Sequence, residues 1–541
     1  MPLILHTVRE HRVGAAAWVI GGGAAMLFMG LALNEEMAAF PGGAQALAFT
    51  VTPAAEAMRV LRWPAEHLET LGGYLTFHNV MLVSGFLALY AGLQGARLVR
   101  GPEERHSLED VLATGWSRPA YLRDRVLGFI AILAMISIGI ALGIAWALAI
   151  SDEPDLSGAL ITMLSVGLGA LVAFAIGVLV SQMTRSSRSA RGITALILVA
   201  MYLVNNAVDA GDALGWIRFA TPFHWVNQSR ALVPGYGADV GAMAVLLIGA
   251  AVLLALAAVA FDRRDYGSGL WSRAATGTTS QPGSVDMCHW WFRAPVLATL
   301  YEHRLGLAAW ILASAAFSAL MMLLQPAAID IFSKFSYYLG MVGGTGSTAE
   351  AMYATFITDV IAPIVAAFAV VQAAGWVSDL DQGRVETLLS APMSWTRLTW
   401  ERLAAVLIGA TAITAACLTV IGVGSLILGA DLSVAGLLRV ATMCVLLAWV
   451  VGALASVTVV TMRNAAAVTL VAAYVTFAYL LTWMIPMFGW PAWMERLSIF
   501  AAFGHPYGEW PVTGSLALLI GVAALGSVGA AALAERTPKV A

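Results

Sequence analysis

Apolar stretches of about twenty residues recur along the whole chain, and this feature restricts its fold more than any other. A helix of that length crosses a hydrocarbon layer of roughly 30 Å, and unpaired backbone groups are excluded from that layer. Short charged or glycine- and proline-containing segments separate the stretches. We predict an all-α polytopic membrane protein with twelve spans: 13–33, 77–99, 126–150, 156–183, 192–210, 240–261, 305–324, 354–377, 403–428, 435–462, 465–488 and 515–533.

The composition and the distribution of charge support this prediction. Of the 541 residues, 60% are hydrophobic and 11% are charged, and the mean hydropathy is +0.82, whereas about a quarter of a soluble domain is charged. Arginine and lysine concentrate in the loops of one side, which predicts that this side is cytoplasmic. Both termini are predicted there, and the protein is predicted to lie in a prokaryotic plasma (inner) membrane.

Two phrases occur once in each half of the chain. REHRVGAAAWVI at residues 9–20 matches YEHRLGLAAWIL at 301–312, with 292 positions between His11 and His303. SLEDVLATGWSRPAYLRDRV at 107–126 matches RVETLLSAPMSWTRLTWERL at 384–403, with 277 positions between Glu109 and Glu386. Both copies begin on the predicted cytoplasmic side, so the halves are predicted to be two parallel six-helix repeats that form a pseudo-dimer.

These repeats predict the domain limits. The first repeat occupies residues 1–261 and the second occupies 296–541. Residues 262–295 between them are polar, basic and rich in Gly, Ser and Thr. This composition predicts a cytoplasmic linker.

Each repeated phrase has a predicted local structure. The first phrase carries basic residues ahead of an apolar run, which fits a short helix lying in the membrane interface or a plain positively charged anchor. The second phrase has apolar residues on one face of a short helix. A partner protein, the protein's own helices and the lipid surface are alternative covers for that face. Its residues are Leu108, Val111 and Leu112 in the first copy and Val385, Leu388 and Leu389 in the second.

One segment resembles a known family. DLDQGRVETLLSAPMSWTRLTWERLAAVL, residues 379–407, is similar to the signature that follows the second membrane helix of ABC-2 type exporter permeases. The residues that carry the resemblance are Asp381, Gly383, Glu386, Leu388, Leu389, Ser390, Pro392, Ser394 and Arg402. The first copy departs from the pattern, with His106 in place of Gly383 and Gly115 in place of Pro392. The chain as a whole resembles the fused, two-repeat polyketide-antibiotic exporter permeases of the tetronasin type.

The resemblance implies a function and a set of sites. It implies export of a hydrophobic or amphipathic drug, antibiotic or lipid, driven by cytoplasmic ABC ATPase subunits, two per chain. The implied ATPase-docking residues, on two coupling helices, are Glu109, Leu112, Ser117, Arg118, Asp381, Gly383, Glu386, Leu388, Leu389, Pro392 and Ser394. The implied connecting helices contain Glu10, His11, Arg12, Glu302, His303 and Arg304.

The energy source is expected outside this chain. A phosphate-binding loop needs a lysine after glycine, and the only lysines are Lys334 and Lys539, in FSKF and TPKV. We therefore expect ATP and Mg²⁺ to bind the partner ATPase, and we expect no catalysis and no cofactor in this chain. Three scattered cysteines do not form the spacing of a metal site. Membrane lipid is an expected partner, and nucleic acid is not.

Two other functions are alternatives. An ion-coupled secondary transporter usually carries ionisable residues deep in the membrane, but the centres of the predicted spans are nearly free of charge. This absence of charge also predicts a neutral, lipophilic cargo. A membrane enzyme would need paired carboxylates or a histidine group in an external loop, and the external Glu and His residues show no recognisable spacing.

Overall fold

The computed structural model describes residues 2–57, 63–208, 212–270, 295–334, 349–381, 383–390, 394–430, 432–487 and 490–535. All regular structure in these ranges is helical. The chain divides into two compact units, Met1–Gln281 and Pro282–Ala541. Each unit has its own core of buried apolar side chains.

The described residues of the first unit form twelve α-helices, which we number in chain order. They are α1 Pro2–Ala16, α2 Gly23–Ala39, α3 Gly43–Ala57, α4 Leu71–Leu75, α5 Met81–Leu98, α6 Arg100–Glu104, α7 Ser107–Ala113, α8 Arg118–Ile150, α9 Leu156–Met183, α10 Ser187–Val208, α11 Pro222–Asn227 and α12 Val240–Arg263. Two π-helical segments, Ala17–Gly22 and Thr76–Val80, join α1 to α2 and α4 to α5. A 3₁₀ segment, Asp212–Ala220, precedes α11.

The second unit continues the numbering. Its described helices are α13 Pro295–Glu302, α14 Arg304–Lys334, α15 Ala349–Asp359, α16 Ile361–Asp381, α17 Arg384–Leu389, α18 Trp395–Leu428, α19 Val434–Met462, α20 Ala465–Met487, α21 Ile499–Phe503 and α22 Thr513–Glu535. A 3₁₀ segment, Ala492–Leu497, precedes α21.

Eleven helices in the described residues are long and apolar enough to span a membrane, rather than the twelve that we predicted. Eleven of the twelve predicted spans, all except 465–488, each overlap one of these helices. The predicted span 465–488 forms α20, whose described apolar part is the shorter helix Ala466–Thr482. The chain is therefore a multi-pass membrane protein with about eleven candidate spans. The predicted number of spans is larger by one because α20 is not among these eleven helices.

The first repeated phrase does not form a separate short helix in the first unit. Helices α1 and α2 and the π-helical segment between them form one uninterrupted helical run. Residues 3–39 contain no proline and no residue with positive φ, so nothing in the backbone ends the helix after the phrase. In the second unit, His303 is a turn residue between α13 and α14, and its N–H still donates to the Thr299 carbonyl at 3.1 Å.

Short polar side chains determine where several spans begin. Asp155 and Asp239 lie immediately before α9 and α12, and each carboxylate accepts the N–H three residues ahead, at 2.7 and 2.9 Å. Ser433 does the same for α19, at 3.2 Å from the Gly436 nitrogen. Such caps satisfy backbone donors that a helix leaves unpaired at its first turn.

Helices α5 and α9 pack closely because glycines line their contact. A Cβ atom on Gly177 would lie 2.1 Å from the Gly92 carbonyl oxygen, and one on Gly95 would lie 2.2 Å from the Phe174 carbonyl oxygen. Small residues of this kind allow membrane helices to approach backbone to backbone. This contact fixes α5, whose end leads into α6 and α7.

Candidate functional site

The first copy of the predicted coupling helix is α7, and its backbone entry matches that of the second copy, α17. His106 precedes α7 with φ of +60°, and Gly383 precedes α17 with φ of +69°. Both are left-handed conformations, which glycine adopts readily and histidine adopts at some cost. The departure of the first copy from the family pattern therefore preserves the local backbone geometry.

The apolar face of α7 packs against the first unit itself. Leu108 is 1% exposed, and Val111 and Leu112 are half-buried against the core. The sequence left three alternatives for what covers this apolar face. The structure shows that the protein's own helices cover it. The exposed surface of α7 is polar and acidic, because Glu109 and Asp110 lie on it.

The second copy shows the same inward packing where its side chains are described. Val385 is fully buried, and Leu389 is half-buried against the core of the second unit. Asp381 is the last residue of α16, and Glu386 and Leu388 belong to α17. The side chains of these three residues, and Pro392 as a whole, lie outside the described part of the chain.

Two predicted docking residues are helix caps. The Ser117 hydroxyl accepts the Ala120 N–H at 3.4 Å at the start of α8. The matching Ser394 hydroxyl accepts the Arg397 N–H at 3.1 Å at the start of α18. The repeated serine therefore ends the coupling segment and begins the next long helix in both units.

Arg118 caps the C-terminal end of α12, the last candidate span of the first unit. Its guanidinium donates to the carbonyl oxygens of Arg264 at 2.7 Å and of Phe261 at 3.2 Å. These carbonyls lie at the C-terminus of α12, where a helix leaves acceptors unpaired and favours positive charge. Arg118 therefore joins the start of α8 to the end of α12.

The two repeated phrases are in contact in the first unit. Arg125 of α8 donates to Glu10 of α1 at 2.7 Å and to the Thr7 hydroxyl at 3.2 Å. The side chain of Arg125 is 4% exposed and that of Glu10 is 36% exposed. The ion pair therefore lies at the edge of the buried region.

The first phrase makes an identical contact in both units. The Nδ1 atom of His11 lies 2.9 Å from the Thr7 carbonyl oxygen, and that of His303 lies 2.9 Å from the Thr299 carbonyl oxygen. Thr7 and Thr299 are again 292 positions apart, so the repeat begins earlier than the phrase that we aligned. Arg12 is exposed, Arg304 stacks on Tyr301 at 4.0 Å, and the Glu302 side chain is not described.

The second unit pairs its matching arginine with a different carboxylate. Arg402, which corresponds to Arg125, donates to Asp379 of α16 at 2.7 Å. Arg384 of α17 lies 3.5 Å from the other oxygen of Asp379. The arginine at the start of the third span therefore pairs with a carboxylate from α1 in the first unit and with one from the second span in the second unit.

A buried cluster of three charged residues lies beside α7, and the sequence did not single it out. Glu103 of α6 accepts from Arg100 at 3.1 Å and from Arg264 at 2.7 and 2.5 Å, one bond to each carboxylate oxygen. All three side chains are 4% exposed or less. Arg100 also donates to the Ser181 and Ser268 carbonyls. The cluster joins α6, the end of α9 and the segment after α12.

The charges of this cluster stabilise one another. Burial alone would raise the pKa of Glu103, but hydrogen bonds from Arg264 and Gly267 and the charges of both arginines hold it below its ordinary value. Burial and the nearby charge of Arg264 lower the pKa of Arg100 to about 10. At neutral pH Glu103 and Arg100 therefore remain charged, as members of a buried ion network with multiple hydrogen bonds can.

The first residues of the predicted cytoplasmic linker, 262–295, contact the first unit. Residues 264–270 pack onto it through Arg264, Gly267 and Ser268. Tyr266 donates to the Glu103 carbonyl at 3.2 Å, and partial burial together with the Glu109 carboxylate raises its pKa to about 12. The sequence shows that residues 264–270 are polar. It does not show the long-range hydrogen bonds that hold this segment against the first unit. The rest of the predicted linker, 271–294, lies outside the described residues.

An apolar groove of about 190 Å³ lies between α5 and α10 of the first unit. Leu82 and Phe86 of α5, Leu198 and Tyr202 of α10, and Phe223 of α11 line it. Phe86 is 62% exposed, so the groove is open. Its lining can accept a lipophilic molecule and offers few hydrogen-bonding groups.

In the part of the chain that the structure describes, no group of three or more His, Cys, Asp or Glu residues could hold a metal ion. Cys417 and Cys444 are buried free thiols, and Cys288 lies outside the described ranges.

Comparisons with known protein families match both halves of the chain. Residues 12–266 match the family described as ABC-2 family transporter protein. Residues 293–534 match the C-terminal domain of the multidrug efflux system permease Rv1217c. These are families of transporter permeases and not catalytic domains. No curated protein matches the chain.

Proposed function

We propose that this chain, which is an ABC-2 family transporter permease with a multidrug efflux permease domain in its second half, is the membrane subunit of an ATP-driven exporter. Its cargo is a hydrophobic or amphipathic compound such as a drug, an antibiotic or a lipid. Separate cytoplasmic ABC ATPase subunits, two per chain, bind ATP and Mg²⁺ and supply the energy. The membrane is a prokaryotic plasma membrane.

The observation that carries this proposal is the matched coupling segment. In both units a left-handed residue precedes a short helix, and a serine cap then begins the third long helix. A segment of this kind, present in both units on the predicted cytoplasmic side, can transmit the movement of two docked partners to two sets of spans. On α7 the docking surface is its exposed acidic side, with Glu109 and Asp110, because its apolar side is already covered.

The apolar groove supports a lipophilic cargo. Its lining between α5 and α10 has almost no polar surface, and a charged cargo there would lack a partner. A compound that partitions into the bilayer can enter an open groove between membrane helices without crossing water.

The test is transport in proteoliposomes that contain the chain and its co-purified ATPase. We expect a neutral lipophilic dye to accumulate in inside-out vesicles only with hydrolysable ATP. Ionophores that collapse proton and sodium gradients should leave the rate unchanged. The matched control is the same complex with an ATPase variant that binds ATP but does not hydrolyse it. Accumulation that needs an ion gradient and not ATP would instead establish a secondary transporter.

A further inference from the structure

The segment that follows α12, residues 264–269, contacts parts of the first unit that are distant from it in sequence. We call it the α12 extension. Its Arg264 guanidinium donates to both carboxylate oxygens of Glu103 in α6 and, at 2.8 Å, to the side-chain carbonyl of Gln182 in α9. Its backbone contributes too, because the Gly267 N–H donates to the Glu103 carboxylate at 2.8 Å. The α12 extension therefore joins the last span of the first unit to α6 and to the end of α9.

Gly269 places the backbone of the α12 extension against the backbone at the end of α9. The residue is buried. A Cβ atom on it would lie 2.6 Å from the carbonyl oxygen of Met183, the last residue of α9, and 2.7 Å from that of Thr184. Glycine permits such a close approach of two backbone segments. A larger residue at this position must therefore push the extension away from α9.

Tyr266 brings the α12 extension to the coupling helix α7. Its hydroxyl donates to the Glu103 carbonyl oxygen at 3.2 Å, and its ring is partly buried against the core of the first unit. Burial, together with the Glu109 carboxylate of α7, raises the pKa of this hydroxyl to about 12. Glu109 is one of the two acidic residues on the proposed docking surface. The extension therefore reaches the edge of that surface.

Glu103 connects the α12 extension to the start of α7. Its carbonyl oxygen accepts the N–H of His106, the residue that precedes α7, at 3.2 Å, and it also accepts the Tyr266 hydroxyl. Helix α7 has only seven residues, too few to be stable without tertiary contacts. Its buried Leu108 provides one such contact. The bonds that meet at Glu103 provide a second, and they lead to α9 and α12.

We propose that the α12 extension is a positioning element of the first coupling helix, with Tyr266 and Gly269 as its positioning residues. This inference rests on the proposed function. The extension holds α6 and α7 against the ends of α9 and α12, so that movement of α7 by a docked ATPase moves these spans with it. Without this connection, ATP hydrolysis would no longer produce a proportional amount of transport.

The first measurement asks whether the extension holds α7. Hydrogen exchange of the full chain in mild detergent, read by mass spectrometry, compares the unmodified chain with Gly269→Ala and Gly249→Ala. Gly249 of α12 is the matched control, because a Cβ atom there would have no other atom within 4 Å. We expect the amides of α7 to exchange roughly 10-fold faster in Gly269→Ala, since local opening becomes easier. The control should match the unmodified chain.

The second measurement asks whether this connection matters for transport. Accumulation of a neutral lipophilic dye and release of phosphate from ATP are followed in the same proteoliposomes, which contain the chain and its co-purified ATPase. Transport per ATP hydrolysed should fall roughly 3- to 10-fold in Gly269→Ala and by a smaller factor in Tyr266→Phe, with ATPase affinity unchanged. Loss of folded protein would lower both rates alike, so their ratio separates a positioning role from a purely structural one.

Each outcome decides the proposal. Unchanged exchange in α7 of Gly269→Ala shows that the proposal is wrong, whatever the transport assay gives. Faster exchange with an unchanged ratio contradicts it as well, because α7 would then be loosened without any effect on coupling. If the unmodified chain accumulates no dye with ATP, the proposed function fails and the coupling role fails with it. If Gly269→Ala does not fold, Tyr266→Phe, which removes only a hydroxyl, is judged by the same two criteria.

Discussion

Glu10 and Arg125 form an ion pair of 2.7 Å that joins the two phrases repeated in each half of the chain. Glu10 belongs to the first phrase, and Arg125 is the penultimate residue of the second. The matching Arg402 instead pairs with Asp379 at 2.7 Å. Each unit thus keeps a paired arginine at the start of its third span, while the source of the carboxylate differs.

Removing the carboxylate of Glu10 should destabilise the first unit. In Glu10→Gln the buried Arg125 guanidinium loses its charged partner, and the expected loss is about 1 kcal/mol, since Glu10 is itself partly exposed. Thermal unfolding in detergent measures the change. Arg123→Gln is the control, because Arg123 pairs with a neighbouring carboxylate but is 67% exposed. Equal effects of the two variants would show that the Glu10 pair contributes nothing specific.

The two sides of α7 should have separable roles. Leu108→Ala opens space in the core and should cost about 2 to 4 kcal/mol of folding stability. Glu109→Ala/Asp110→Ala should leave the unfolding temperature unchanged and weaken binding of the partner ATPase, measured by surface plasmon resonance on purified components. If the double variant binds the ATPase with unchanged affinity, the acidic face of α7 is not part of the docking surface.

The left-handed residues before the coupling helices should tolerate glycine and reject β-branched residues. His106→Gly should be neutral or stabilise the protein by up to about 1 kcal/mol, because it relieves a conformation that histidine adopts at a cost. Gly383→Val should destabilise the entry to α17, because a β-branched residue is strained there. Unfolding temperature and ATPase stimulation measure both effects. If the Gly383→Val protein matches the unmodified chain in unfolding temperature and in ATPase stimulation, the left-handed conformation at residue 383 is contradicted.

Glu103 should make stability depend on pH in the acidic range. Its pKa in the folded protein lies below the ordinary value of 4.5, so the unfolded chain binds its proton more tightly. Its contribution is therefore complete above about pH 4.5 and is lost as pH falls through the lowered pKa. At neutral pH, Glu103→Gln should cost about 3 to 5 kcal/mol, because two buried arginines lose their counter-charge.

The pH profile separates this effect from a general loss of packing. The difference in unfolding temperature between Glu103→Gln and the unmodified chain should narrow below about pH 4.5. A difference that stays constant with pH would contradict the assignment of charge to Glu103. Arg264→Lys should not match the stability of the unmodified chain, because lysine cannot bond both carboxylate oxygens in the geometry of a guanidinium.

The membrane helices and the duplicated motifs could be predicted from the sequence because their signals are local. Apolar runs of membrane length identified the spans, and a repeated phrase needs no tertiary information. The left-handed geometry at Gly383 was implicit in the glycine of the motif, but nothing in the sequence indicated that His106 adopts it as well.

The buried cluster could not be predicted because its members are far apart in sequence. Glu103 and Arg264 are separated by 161 positions and meet only through the packing of α6 against the segment after α12. The polarity of that segment favoured a linker, since composition does not distinguish a solvated arginine from a buried, paired one. For the same reason, the sequence did not indicate that the apolar face of α7 packs against the first unit. The spacing of apolar residues defines such a face but not what covers it.

The most direct test of the account is the number of ATPase subunits that co-purify with the tagged chain from its native membrane. Mild detergent should retain the complex, and native mass spectrometry gives its stoichiometry. We predict two copies of a soluble ABC ATPase for each chain, and a reduced number when Glu109→Ala/Asp110→Ala is introduced. A chain that purifies intact and lipid-bound but without any ATPase would contradict an ATP-driven exporter.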